Sequence, residues 1–281
     1  MEPGWLERPC IATWRCYAGR MQDFWRSFET DAKAAGSWDD RYAARMPDGR
    51  SLTMPIRDMG NFAMAGLIAN QASFSVLDTL AEWLARAAAP CAPEIIVGLP
   101  TLGHTVGAAT ARALGHTGWV APSTTRKRWY DDDASVALRS ITSPATGANR
   151  DRRMWLDPRL LHRLQGRRVV LVDDVISTGS SSLAGLALLR AVGVEPVALL
   201  VAMVQGHRWM ETWDASVPVI GAFSTPLFHA SGGRWVETRP HARRPNRRRR
   251  GAHTRRGTGA GAALRHGCAS GGGDRSGSAP A

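Results

Sequence analysis

Lysine is almost missing from this chain: Lys33 and Lys127 are its only two, against 34 arginines. Cysteine is scarce as well. Cys10, Cys16, Cys91 and Cys268 form no C-x-x-C pair, so neither a disulfide framework nor a zinc site is indicated, and a reduced compartment is expected. Long apolar runs are absent too. The longest, Val197–Val204, is far too short to cross a bilayer. Glu2, Trp5, Glu7 and Arg8 interrupt the start of the chain, which therefore shows no basic-then-apolar leader, and a cytoplasmic location is expected. Four chemical signatures are also wanting: G-x-x-x-x-G-K-[ST], G-x-G-x-x-G opening a helix, H-E-x-x-H and G-x-S-x-G. Their absence argues against a P-loop hydrolase, a dinucleotide-dependent dehydrogenase, a metalloprotease and an esterase.

What is present divides sharply near Thr238. Residues 239–281 hold eleven arginines and one acid, Asp274, and so carry +10 of the net charge of +12. The remaining 25 basic and 23 acidic residues nearly cancel, which points away from nucleic acid as a partner of the folded part. Leu264 is the only large apolar side chain after residue 238, set among nine glycines. Such a segment cannot bury enough surface to offset the entropy of ordering it, and a disordered tail over 238–281 is expected. It reads as a solvated tail, as a nucleic-acid arm, or as the product of a shifted reading frame. The abrupt change of composition and the excess of arginine favour the last.

Before that boundary, helical and strand patterns alternate as a parallel sheet requires. Helices are expected over Cys16–Ala35, with Phe24, Trp25 and Phe28 as a core stripe, and over Phe74–Ala88. Next come a strand at Glu94–Leu99, a helix at Val106–Leu114 and a strand at Gly118–Ala121. A connection of about thirty residues from Pro122 to Arg153 follows; one of that length is usually functional or disordered. Strands are expected again at Arg168–Asp173, Val194–Val204 and Val217–Phe223, with a helix at Leu183–Val192. The fold class is thus α/β, a central parallel sheet with flanking helices and a small N-terminal hood. The expected domains are 1–93 for N-terminal helices and hood, 94–237 for the core, and 238–281 for the tail.

The most informative stretch is Val169–Ser181, VVLVDDVISTGSS. An apolar strand ends in Asp173 and Asp174, and a turn of small polar residues leads straight into a helix. That arrangement gathers free backbone N–H groups and the positive helix end around an anion, typically a phosphate. Two carboxylates just before the cradle suit vicinal hydroxyls beside that phosphate, as in a ribose 5-phosphate.

These thirteen residues resemble the signature of type I phosphoribosyltransferases, which bind phosphoribosyl pyrophosphate; usable motifs extend over about Glu94–Val204. One departure is Ser180, where family members often carry a second glycine. The resemblance implies transfer of ribose 5-phosphate to a nitrogenous base, a purine, with release of pyrophosphate and with Mg²⁺ held mainly through the diphosphate. It implies that Asp173 and Asp174 bind the ribose hydroxyls and stabilise a cationic sugar, while Ser177, Thr178, Gly179, Ser180 and Ser181 hold the 5-phosphate. Thr101, Leu102 and Gly103 take the place of the pyrophosphate loop, where a non-proline cis peptide is expected at Thr101–Leu102. Arg126 and Lys127 are similar to the start of the mobile catalytic loop of the orotate and adenine enzymes, and they would close over the diphosphate. A homodimer is the expected assembly.

Other residues have plainer readings. His104 reads as a helix-start residue, and Asp131, Asp132 and Asp133 as a solvated acidic run. Gln205–Trp209 is similar to the corresponding segment of adenine and xanthine enzymes, and Trp209 is placed either to stack on a purine or to pack on the domain edge. The Ile-Ser-Thr-Gly of the signature points instead to the orotate enzymes. A second function class stays open: a regulator that senses phosphoribosyl pyrophosphate without transferring it, with the arginine tail as a nucleic-acid arm.

Overall fold

The computed structural model describes residues 23–30, 36–138 and 152–238. At its centre four strands run parallel in the order β4 (Ile95–Gly98), β7 (Val169–Ile176), β8 (Ala198–Gln205) and β9 (Val219–Thr225). Their continuous apolar runs are what a sheet covered on both faces demands. Alternation along β7 sorts the side chains. Val170 and Val172 join Val76, Leu80, Leu84 and Val106 on one face, while Val169 and Leu171 join Ala184, Leu188 and Leu189 on the other. The first face is covered by α1 (Phe74–Ala88) and α2 (Gly103–Ala113), the second by α3 (Ser180–Ala191).

Helix α1 occupies the expected residues. Ser73 caps it, accepting from the Val76 N–H at 3.2 Å, and its apolar stripe of Val76, Leu77, Leu80 and Leu84 is buried. Helix α2 begins three residues earlier than the hydrophobic spacing indicates, because glycines let it lie against the sheet. A Cβ on Gly107 would stand 2.9 Å from Gly98 Cα, and one on Gly98 would stand 2.8 Å from the Trp119 ring. The strand expected at Gly118–Ala121 is reduced to Val120, which pairs with β4 through two backbone hydrogen bonds of 2.8 and 3.0 Å. Strand β8 starts only at Ala198, after a turn at Gly193 (φ 74°).

A second sheet, which no sequence motif announced, stands over one end of the first. Its order is β1 (Arg41–Arg45), β2 (Ser51–Asp58), β3 (Ala63–Ala65), β10 (Leu227–Ser231) and β11 (Arg234–Glu237), all antiparallel. Strand β3 pairs with β10, so the hood is built from both sides of the core in sequence. Helix α1, in turn, packs into the core although it precedes residue 94. Phe228 closes the hood, wholly buried, with edge-on contacts to Trp38 and Tyr42 at 5.6 and 5.1 Å.

The helix expected over Cys16–Ala35 is not seen where the chain is described. Asp23–Thr30 forms turns and a single bridge from Glu29 to Ser51, and Trp25 takes φ 61°; residues 16–22 and 31–35 lie outside the described residues. Tertiary contacts override the periodicity there. The Trp25 indole N–H donates to Gly66 O at 3.0 Å, and Phe28 packs on Trp83. The long connection holds a short ribbon of β5 (Ser135–Ala137) and β6 (Arg153–Trp155), with residues 139–151 outside the description. The tail from 239 onward also lies outside it.

Candidate functional site

Strand β7 runs past the apolar residues and through both aspartates to Ile176, so the two carboxylates leave the strand in opposite directions. Asp173 is buried at 3% exposure. Ser182 Oγ donates to its Oδ2 at 3.0 Å, and the Asp174 N–H donates to its Oδ1 at 3.0 Å. Burial pushes its carboxyl well above the usual range, and the neighbouring Asp174 charge pushes it the same way. Asp174 is half-buried and lines a cavity; burial raises its carboxyl also. Adjacent carboxyls in a partly dry site cannot ionise independently: the Asp174 charge favours a neutral Asp173, whose hydrogen bond in turn favours the charged Asp174.

The turn Ser177–Gly179 follows directly and delivers the chain into α3. Gly179 takes φ 82°, a conformation that L side chains rarely adopt, and the wall of Trp209 lies 3.5 Å from where its Cβ would stand. Ser180, in place of a second glycine, begins α3 without positive φ, and its hydroxyl lies 3.1 Å from that of Thr178. The first turn of α3 thus offers unsatisfied N–H groups and a positive end beside Asp174.

The cavity, about 610 Å³, is lined on this side by Asp174, Val175 and Ser177–Ser182. Opposite, the hood contributes Arg57, Met59, Phe62, Met64 and Ile68, and β8 with its following turn adds Gln205 and Arg208. Volume and mixed lining match a site for a small polar ligand. Gln205 is buried and donates from Nε2 to Ala65 O at 2.7 Å, tying β8 to the hood.

The loop before α2 reaches the same place. Leu102 lines the cavity, Thr101 is exposed, and Gly103 is buried against Asp173: a Cβ there would stand 2.9 Å from Asp173 Cα and 3.0 Å from its Oδ1. The cis peptide joins Pro100 to Thr101, one residue earlier than the expected Thr101–Leu102. His104, the second residue of α2, donates from Nε2 to Pro122 O at 2.8 Å, and burial lowers its pKa, as suits a neutral ring that pins the helix start.

Arg126 and Lys127 are not brought to the cavity wall. Arg126 pairs with Asp132 at 3.1 Å on the exposed face of the connection. Just beyond it, the Trp129 indole donates to Asp157 at 3.1 Å while Arg159 stacks on the Trp129 ring, which fastens the base of the ribbon. Within the acidic run, Asp131 accepts from the Asp133 N–H and caps a short turn. Trp209 packs against the core cluster on the α3 face, outside the cavity lining, so of its two readings the structure shows packing. Sequence reasoning missed Arg57, Met59, Phe62 and Ile68, which lie on strands and turns with no chemical motif; the turn at Asp48-Gly49 (φ 88°) between two short alternating runs was the one available signal of the hairpin beneath them.

A parallel sheet whose central strand carries paired acids just ahead of a small-residue turn into a helix, roofed by a separate sheet, makes an α/β domain open at the carboxyl ends of its strands. The family model described as Phosphoribosyl transferase domain matches residues 66–229. The chain belongs to that family. It is 37% identical to an adenine phosphoribosyltransferase of Sphingopyxis alaskensis over 120 residues, covering 42% of this chain and 58% of that protein. It is 33% identical to an orotate phosphoribosyltransferase of Methylibium petroleiphilum over 159 residues, covering 56% and 57% respectively. The chain thus spans about three fifths of the length of these relatives. Among solved structures, the adenine phosphoribosyltransferase of Rhodothermus marinus is similar at 20% identity and a TM-score of 0.45, covering 60% of this chain and 94% of that one.

Proposed function

We propose that this protein transfers ribose 5-phosphate from phosphoribosyl pyrophosphate to a ring nitrogen of a nucleobase, with a purine as acceptor, and releases pyrophosphate. The observation that carries this reading is the placement of Asp174 in the cavity wall beside the Ser177–Ser181 turn, at the start of α3. The relatives named adenine phosphoribosyltransferase support the purine.

Each part of the site has a task in that reaction. The N–H groups of Thr178–Ser182, with Gly179 freeing the turn, hold the 5-phosphate at the positive helix end. Asp174 accepts from the ribose hydroxyls and faces positive charge as the glycosidic bond lengthens. Asp173, fastened by Ser182 and accepting from the Asp174 N–H, holds Asp174 in place. Charge stabilisation of this kind parallels glycoside hydrolysis. Thr101–Gly103 receive the diphosphate. Arg126 and Lys127 close over it after release of the exposed pair with Asp132, which costs only about 0–1 kcal/mol. Among the described residues no cluster of three or more His, Cys, Asp or Glu forms a metal cage, and the hard oxygens of Asp174 are the carboxylate donors in the cavity wall. Mg²⁺ would be held mainly through the diphosphate, where it would supply neutralisation of the leaving charge.

The test is twofold. Calorimetry with phosphoribosyl pyrophosphate and Mg²⁺ should show binding, and a panel of nucleobases should show base-dependent pyrophosphate release. Binding without turnover of any base would replace transfer by ligand sensing; no binding at all would end both readings.

A further inference from the structure

The hood wall of the cavity is unevenly supplied with hydrogen-bonding groups. Three of its backbone carbonyls are engaged: Ala65 O receives Gln205 Nε2 at 2.7 Å, Gly66 O receives Trp25 Nε1 at 3.0 Å, and Ile68 O receives the Gln71 N–H at 2.9 Å. Its two guanidinium groups are less well matched. Arg57 lies flat over Gly66, with Nε 3.1 Å from where a Cβ on that glycine would stand, and has no carboxylate partner among the described residues. The neighbouring Asp58 carboxylate turns back to accept from the Gly60 N–H at 2.7 Å. Arg208 stacks on the Phe62 ring at 4.7 Å and reaches Ser177 Oγ only at 3.4 Å; it too lacks a carboxylate partner among the described residues. Both arginines line the cavity, where Asp174 is the single carboxylate among the described lining residues.

Building on the transfer reading, we infer that the acceptor is a base with an oxygen edge, its ring carbonyls or a carboxylate facing Arg57 and Arg208, and not a base recognised through an exocyclic amine. An exocyclic amine is a donor, and two guanidinium groups, donors themselves, offer it no acceptor. Carbonyl or carboxylate oxygens would instead satisfy guanidinium forks that stand unpaired, and forked charge-assisted bonds are the strong ones. Met59, Phe62 and Ile68 supply the apolar face against which a flat ring lies. The arrangement discriminates in both directions, since an aminopurine would leave two cations facing its donor edge.

The experiment uses the full chain with Mg²⁺ and saturating phosphoribosyl pyrophosphate, and compares xanthine, orotate and adenine by pyrophosphate release. Xanthine or orotate should exceed adenine in kcat/KM by about tenfold or more, the scale of one charge-assisted hydrogen bond. Arg57→Gln and Arg208→Gln should each raise the KM of the preferred base by a similar factor, while the Kd of phosphoribosyl pyrophosphate from calorimetry stays within about threefold. Orotate in first place would keep the oxygen edge and displace the purine. Adenine matching or exceeding both oxygen-edged bases would overturn the inference and leave the transfer reading standing. So would a pair of arginine variants that weaken phosphoribosyl pyrophosphate and spare the base. No binding of phosphoribosyl pyrophosphate by wild type would instead remove the transfer reading, and this inference with it. The wild-type panel decides the matter even if an arginine variant fails to fold.

Discussion

Gly103→Ala adds one methyl group at the point where α2 meets the signature strand. The new Cβ would stand 2.9 Å from Asp173 Cα, 3.0 Å from Asp173 Oδ1 and 3.0 Å from Val172 O. Two of those atoms are main chain in a central strand, and the third belongs to a carboxylate held by Ser182 and the Asp174 N–H, so no flexible end can swing aside. Elsewhere in a helix the same change stabilises by about 0.5–1 kcal/mol, because alanine has less chain entropy to lose. Overpacking of a tight core costs about 1–3 kcal/mol. The steric effect wins here, since a first-turn residue realises little of the helix gain. A net loss of about 1–2 kcal/mol corresponds to a fall in Tm of roughly 2–8 °C for a chain of this size. Activity should suffer more than stability. Relief of the clash must move either the Thr101–Gly103 loop or the aspartate pair, and displacements of a fraction of an ångström at a reacting centre cost about tenfold or more in kcat/KM. Thermal unfolding and pyrophosphate release should be measured beside Gly118→Ala, where nothing lies within 4 Å of the added methyl. If the two variants match each other in Tm and kinetics, the close packing of α2 on Asp173 is not a feature of the working protein.

Asp174→Asn should lower kcat about a hundredfold, equivalent to about 2.7 kcal/mol, with a smaller change in affinity for phosphoribosyl pyrophosphate; Asp133→Asn is the control, and equal effects would refute the assignment. Asp173→Asn should raise Tm at neutral pH while impairing turnover. A carboxyl whose folded pKa lies above its unfolded value contributes stability below the unfolded pKa and loses it as pH rises toward the folded one, so the wild type should lose Tm over that rise and the Asn variant should not; parallel pH profiles would refute this. Phe228→Ala should cost about 3–5 kcal/mol, read by denaturant unfolding, because that ring is wholly buried between Trp38 and Tyr42; a loss below about 1 kcal/mol would show that the hood sheet is not closed by it. A chain ending at Thr238 retains every described strand pairing and its Tm should stay within about two degrees of full length, whereas one ending at Pro226 loses β10 and β11 and should unfold far earlier.

The elements with strong local signals were legible in advance. Helix α1 carries its own cap and stripe, and the signature strand, turn and α3 could be read because an apolar run, a small turn residue and a helix start are all local in sequence. The hood was not legible. Its strands are short, its sheet joins residues near position 60 to residues near position 228, and such pairings leave no periodic trace on either side. Asp23–Thr30 has helical spacing but a bridged, turned backbone, since Trp25 and Phe28 are held by contacts with Gly66 and Trp83.

By itself, then, the sequence determined a parallel α/β core and an acid pair leading through a small-residue turn into a helix, because strand, turn and helix are dictated by neighbours along the chain. Only the tertiary structure decided which aspartate faces the cavity and where the cis peptide falls. It alone sets Arg126 against Asp132 and brings to the cavity of Asp174 two arginines that have no carboxylate partner among the described residues. Those outcomes depend on which surfaces meet, on glycines that let a helix approach a strand, and on carbonyls engaged by residues as distant as Trp25 and Gln205, none of which is encoded at short range.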